Sequence, residues 1–316
     1  MSGGALVAGK GLALGLAALI ISAPAFALLI WLGAVGGARL SAVVLSAGGY
    51  VAYLAFWTVL IVGVSATARR SRSALIALVG AWTVTVVLAP RVAPEIAAAL
   101  APLPTRVETD IAVQRDLRAM GDAHNPNDPY FAAFKRRTLQ AYGVTRVEDL
   151  PVNYRGLLAV EGEKLTSGLF NRYSNQAFAA MEAQGRVMDA LAVISPTVAI
   201  RRLSMTLSET DLFAYRRFLE QAEAYRYDLV QRLNRLQATA VTAADDAAKS
   251  NDSAADARSR ISADHWRNMP RFDPARPSEA DVMSRALPAL LALLLWLAAG
   301  ALFVARAGRR LNRSAA

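Results

Sequence analysis

The sequence predicts an all-α membrane protein with four transmembrane helices and a helical extracytoplasmic domain inserted before the last of them. Three observations carry this. Residues 11–38, 40–68, 73–90 and 286–305 contain no Asp, Glu, Lys or Arg, and each run meets or approaches the roughly 20 apolar helical residues that cross a bilayer core about 30 Å thick. All 25 acidic residues lie between Glu95 and Asp281, so the long middle region is chemically unlike the runs around it. Within that region helix caps recur, while alternation of β-branched residues and hairpin turns are scarce. A soluble fold would have to bury four helices that are apolar on every face, an arrangement that belongs in membranes or very large cores.

The spans are expected at about 11–33, 42–66, 73–90 and 286–306. They divide the chain into a membrane domain (1–90), an extracytoplasmic domain (91–284) and a final span with a basic tail (285–316). Lys10, the apolar GLALGLAALII and the small-residue segment SAPAFA ending at Ala27 also match a cleavable signal peptide. The apolar sequence that continues through LLIWLGAVGG favours an uncleaved first span, with Pro24 as a kink. The pairs Gly11–Gly15 and Gly33–Gly37 suit close helix packing.

Charge gives the orientation. Residues 91–284 hold 25 basic and 25 acidic side chains, so the net charge of +10 resides in Lys10, Arg39, Arg69, Arg70, Arg72, Arg285, Arg306, Arg309, Arg310 and Arg313. Cytoplasmic flanks are enriched in Lys and Arg. Placing Lys10, the turn SATARRSRSAL and the 306–313 tail inside puts eight of these ten in the cytoplasm, with both termini inside and residues 91–284 outside. A neutral large domain excludes the basic face of a nucleic-acid binder. The absence of cysteine is compatible with an extracytoplasmic location.

In the insertion, Asp128-Pro129 opens a helix that Gly143 ends, and Ser195-Pro196 opens another. Ser208 with Asp211 reads as a weak capping box. Beyond it Leu212, Tyr215, Leu219, Ala222, Leu229, Leu233 and Leu236 form one apolar stripe of a long helix. Residues 237–262 read as an exposed helix end or a connector. HWRNMPRFDPARPSEAD then runs extended into the last span, pinned by Trp266 and Phe272.

Motifs that carry chemistry are sparse. Without cysteine there is no thiol nucleophile and no thiolate metal site. His124, in DAHNPNDPY, reads as part of a polar turn, and His265 as packing or surface. No GxxxxGK[ST] phosphate loop occurs. Glu161/Glu163 and Asp245/Asp246 read as solvated faces, and Arg136–Arg137, Arg201–Arg202 and Arg216–Arg217 as surface ion-pair formers. No charge lies within a span, so titrating groups of the kind that drive many secondary transporters are missing. The sequence therefore points to no catalytic residue, metal ligand or cofactor site.

Several segments together resemble the permease subunit of a type-2 ABC exporter, in the branch with a large extracytoplasmic domain of unassigned function. They are LVAGKGLALGLAALI, VSATARRSRSALIALVGAWTVTVVLAPR, NDPYFAAFKRRTLQAYGV, ISPTVAIRRLSMTLSETDLFAYRRFLEQAEAYR and HWRNMPRFDPARPSEAD. The likeness covers nearly the whole chain. Permeases of this class usually have six spans, and the present chain begins between the second and third of that pattern. The resemblance implies an inner-membrane transport subunit of unknown substrate, without ATPase activity of its own. It implies as partners a separate ABC ATPase, a second permease subunit, identical or different, membrane lipid, and a periplasmic or outer-membrane protein. It points to Arg69, Arg70 and Arg72 as ATPase contacts, residues that topology alone would also place there. The alternative is a membrane-anchored binding or scaffold module with no transport activity.

Overall fold

The computed structural model describes residues 3–125, 127–267 and 269–314, and among them every regular element is helical. Helix α1 runs Gly3–Val35, α2 Leu40–Thr67, and α3 is continuous over Ser71–Leu100, with a π-helical stretch at Thr83–Leu88. After them come α4 (Arg106–Met120), α5 (Pro129–Tyr142), α6 (Tyr154–Leu191), α7 (Pro196–Leu207) and α8 (Leu212–Ala240). The short α9 (Ala243–Ala248), α10 (Ser253–Ser259) and α11 (Asp264–Arg267) lead to α12, Glu279–Ser314. Helices α1, α2, α3 and α12 are long and apolar enough to cross a bilayer.

The chain forms two compact units whose limits differ from the segments expected from the sequence. The first unit comprises Met1–Pro102, Ala180–Tyr215 and Arg276–Ala316, the second Leu103–Ala179 and Arg216–Ala275. Part of the insertion therefore belongs with the spans. The physical reason lies in residues 190–200, ALAVISPTVAI, which carry no charge and bury Ala192, Val198, Ala199 and Ile200 in the core of the first unit.

In the first unit α12 packs on α2 and α7, and α1 packs on α2 and α12. The core consists of Ala42, Ala192, Val198, Ala199, Ile200, Leu203 and Leu207 with Val282, Ala286, Ala289, Ala292 and Leu293. Small residues let the spans approach: Gly63 of α2 faces Phe303 and Val304, and Gly300 of α12 faces Phe56 and Val59. Phe56 and Trp296 meet edge to face at 5.4 Å. Elsewhere the spans expose large apolar side chains such as Ile20, Ile21, Leu40, Leu75 and Ile76, which suits a hydrocarbon surround.

In the second unit α6 and α8 run antiparallel in a register set by polar contacts. The amide of Asn153 donates to Ala238 O at 2.7 Å, Asn234 Nδ2 to Ala159 O at 3.1 Å, and Gln231 Nε2 to Val160 O at 2.9 Å. The stripe expected on α8 is only half-buried and Tyr215 is exposed; the fully buried α8 residues are Gln231 and Ala238. Asp128 caps α5 by accepting from Phe131 N, and Gly143 ends that helix at φ +68°. Ser208 closes α7 by bonding back to Ser204 O, whereas Asp211 caps α8 through Ala214 N. The Ser208 box is thus two separate caps. Residues 237–262 are mostly helical, in α9 and α10 with Thr242 and Asp252 as caps. Phe272 packs against Phe218 and Tyr225, as expected of a pinning residue, while the side chain of Trp266 lies outside the described residues.

Candidate functional site

The end of α6 and the whole of α7 form a helical hairpin seated among the spans. Its turn is Ala192–Ser195, and Ser195 caps α7 by accepting from Val198 N at 3.3 Å, with Pro196 in the first turn. The amides of Ala192, Val193 and Ile194 donate to Met188, Ala190 and Leu191 carbonyls at 3.0–3.2 Å. A turn whose amides are satisfied internally can sit in hydrocarbon, where water does not replace a missing partner.

One face of α7 places Val198, Ala199, Ile200, Leu203 and Leu207 against α2 and α12. Gly49 of α2 lies under this face, and a Cβ there would collide with Leu203 and crowd Ile200. Tyr53 and Thr197 share a hydroxyl hydrogen bond of 3.1 Å, and Ser195 Oγ donates to Thr85 O of α3 at 2.9 Å. Tyr53 lies thirteen residues past Leu40, the first residue of α2, or about 20 Å along it at the helical rise. The hairpin therefore reaches well down the length of a span. Val193 and Ile194 remain exposed on its turn.

At the other end of the hairpin lies a polar belt. Arg39, between α1 and α2, pairs with Glu209 at 3.1 Å and also donates to Pro277 O. Arg276 donates to Gly37 O at 3.0 Å. Arg285 pairs with Asp211 at 2.7 Å, and its guanidinium stands 3.7 Å from the centroid of the Phe213 ring. Arg39 and Arg285 are thus both paired with acids just after α7. Beside this belt is a cavity of about 790 Å³ lined by Met181, Met188, Arg202, Phe213, Arg285 and Pro288 among others.

Arg69, Arg70 and Arg72 lie together at the turn from α2 into α3 and are exposed. Arg70 occupies the N-cap position of α3, where its carbonyl accepts from Ser73 and Ala74. Among the described residues no acid forms an ion pair with any of the three. The turn is a bare cationic surface.

The paired acids of the second unit are structural. Glu161 accepts from the Tyr130 hydroxyl, and Glu163 joins Ser167, Glu223 and Arg226 in one cluster. Arg226 bonds Glu163 at 2.7 Å and Glu223 at 2.6 Å, holding the Glu223 carboxyl below its ordinary range while its own guanidinium is driven higher. Burial opposes ionisation of Asp246, but hydrogen bonds from Lys249 and Asn153 and the charge of Arg155 outweigh it and keep this carboxyl low. Arg202 pairs with Asp189 and Arg216 with Glu220, while Arg136, Arg137 and Arg201 are exposed. His124 sits in an exposed turn, its amide bonded to Asp122, at the edge of a cavity of about 980 Å³ lined by α4, α6 and α8.

Sequence reasoning found Ser195 as a cap but missed the hairpin it ends. The signal was present as an eleven-residue uncharged run between Asp189 and Arg201, too short for a span and interrupted by Pro196.

No curated protein and no solved structure matches this sequence. Residues 106–275, more than half of the chain, match the family described as Domain of unknown function (DUF3526). That match spans α4 to α11 and encloses the hairpin, and by it the chain belongs to the DUF3526 family.

Proposed function

We propose that this chain is an integral-membrane permease subunit of an ABC exporter of type 2, working in the inner membrane with a separate ATPase and a second permease subunit. The observation that carries the reading is the layout: three apolar helices, a long helical insertion, and a fourth apolar helix, joined to the segments that resemble such permeases. In this reading Arg69, Arg70 and Arg72 face the cytoplasm, where a bare cationic turn meets the ATPase or anionic lipid. The ATPase supplies the energy, which agrees with apolar runs (11–38, 40–68, 73–90 and 286–305) that carry no Asp, Glu, Lys or Arg. The second unit then lies outside the membrane, covering the exit path or receiving a periplasmic or outer-membrane partner.

A second reading, a membrane-anchored binding or scaffold module, draws support from the cavity of about 980 Å³ in the second unit. Affinity purification of the full chain from native membranes separates the two. Recovery of an ABC ATPase, with ATP hydrolysis altered by the chain in lipid nanodiscs, is the expected result. Repeated recovery without any ATPase would remove the permease reading.

A further inference from the structure

Pro90 shapes the hydrogen bonding of α3. In an α-helix the carbonyl of residue i accepts from the amide of i+4, and in a π-helix from that of i+5. Across Thr83–Leu88 the ladder is π, and the amide of Ala89 bonds to Val84 O, five residues back. In this register the partner of the Thr85 carbonyl is residue 90, a proline without an N–H. The Thr85 carbonyl is therefore left over by its own helix. It is met from outside by Ser195 Oγ at 2.9 Å. Ser195 is 1% exposed and already accepts from Val198 N, so its one hydroxyl proton is committed to Thr85.

The α register has the converse defect. There the Ala89 amide would return to Thr85 O, and the Val86 carbonyl would be the one facing Pro90. The π register leaves the Thr85 carbonyl without its backbone donor and the α register would leave that of Val86, so a hydrogen bond from outside to Thr85 O favours the π register. We propose that Ser195 is a catch linking the hairpin to the register of the third span: π while the hairpin is docked, α when it leaves. Since the registers differ in residues per turn, the exchange rotates Ala89–Leu100 relative to Ser71–Trp82. This makes α3 a two-state element of the kind that carries conformational switching. Such coupling goes beyond the permease reading and does not depend on it.

Because the chain has no cysteine, Ala192→Cys on the hairpin turn, a position only 3% exposed while the hairpin is docked, gives a single thiol whose rate of modification by a water-soluble maleimide reports undocking. The full chain in lipid nanodiscs is used, without ATPase or transport. Adding Ser195→Ala should raise the rate roughly tenfold, the scale of one hydrogen bond to a buried carbonyl, whereas Ser195→Thr, which keeps the hydroxyl, should leave it within about twofold. Pro90→Ala restores an amide at position 90. It should raise the rate by itself and shrink the Ser195→Ala effect to under about threefold, because Thr85 O then has a backbone donor. Equal acceleration by Ser195→Ala in both backgrounds, or none in either, would overturn the coupling. If Ser195→Ala does not fold, Pro90→Ala alone decides, and an unchanged labelling rate in it rejects the proposal.

Discussion

The backbone of Ala238 occupies the space in which a Cβ of Gly156 would sit, so α6 and α8 touch at a point that only glycine allows. Gly162, six residues further along α6, has nothing within 4 Å of the same position. Gly156→Ala should therefore destabilise the second unit by about 1–3 kcal/mol through overpacking. Gly162→Ala should stabilise it by about 0.5–1 kcal/mol through helix propensity alone. Thermal unfolding of the two variants in detergent checks the opposite signs.

Asp211 does two things that separate by substitution: it caps α8 and it pairs with Arg285. Asp211→Asn keeps the cap and loses the ion pair, which should cost about 1 kcal/mol for so partly exposed a contact. Asp211→Ala loses both and should cost about 2 kcal/mol, while Ser208→Ala should change little. Denaturant unfolding of the three variants gives the order.

Acid should weaken the second unit. Glu108, Asp116, Asp128, Glu223, Asp245 and Asp246 are all held below their ordinary values, by hydrogen bonds from caps, tyrosine or arginine and lysine partners. A carboxyl whose folded pKa is depressed releases its proton more readily in the folded state. Its contribution is complete above the unfolded value near 4 and disappears as pH falls through the folded one. The melting temperature should be level from about pH 7 to 5.5 and fall steeply below about pH 4. Asp246→Ala should cost about 2 kcal/mol at pH 7, since Asn153, Lys249 and Arg155 all lose a partner.

Arg69, Arg70 and Arg72 changed together to Gln should distinguish their two roles. A topology determinant would show altered sidedness of a cysteine placed at Ser71, read with impermeant thiol reagents. A coupling surface would keep the sidedness and uncouple ATP hydrolysis in a reconstituted complex.

The spans and caps were legible because they depend on local chemistry: uncharged runs of about 20 residues, and Asp128, Gly143 and Ser195 at positions where a helix must start or stop. The complete capping box of Thr105 and Glu108 on α4 is just as local, written in PTRVE. The hairpin was not legible, because α7 is buried by partners more than a hundred residues away, such as Gly49, Tyr53 and Thr85. The leucine stripe of α8 predicted an apolar seam, but the buried contacts to α6 come from Gln231 and Ala238. Polar side chains are favoured on this seam because Gln231 reaches the Val160 carbonyl and Asn234 that of Ala159, which periodicity does not reveal.

The second unit is interrupted in sequence by residues 180–215, which belong to the first. Those residues lie inside the segment that defines the family, 106–275. A recombinant fragment cut at the family limits would therefore carry the hairpin without α2 and α12, leaving Val198, Ile200, Leu203 and Leu207 with nothing to cover them. Such a fragment should be recovered in inclusion bodies or micelles rather than free in buffer. A soluble version has to be spliced, joining residue 179 to residue 216 through a short polar linker.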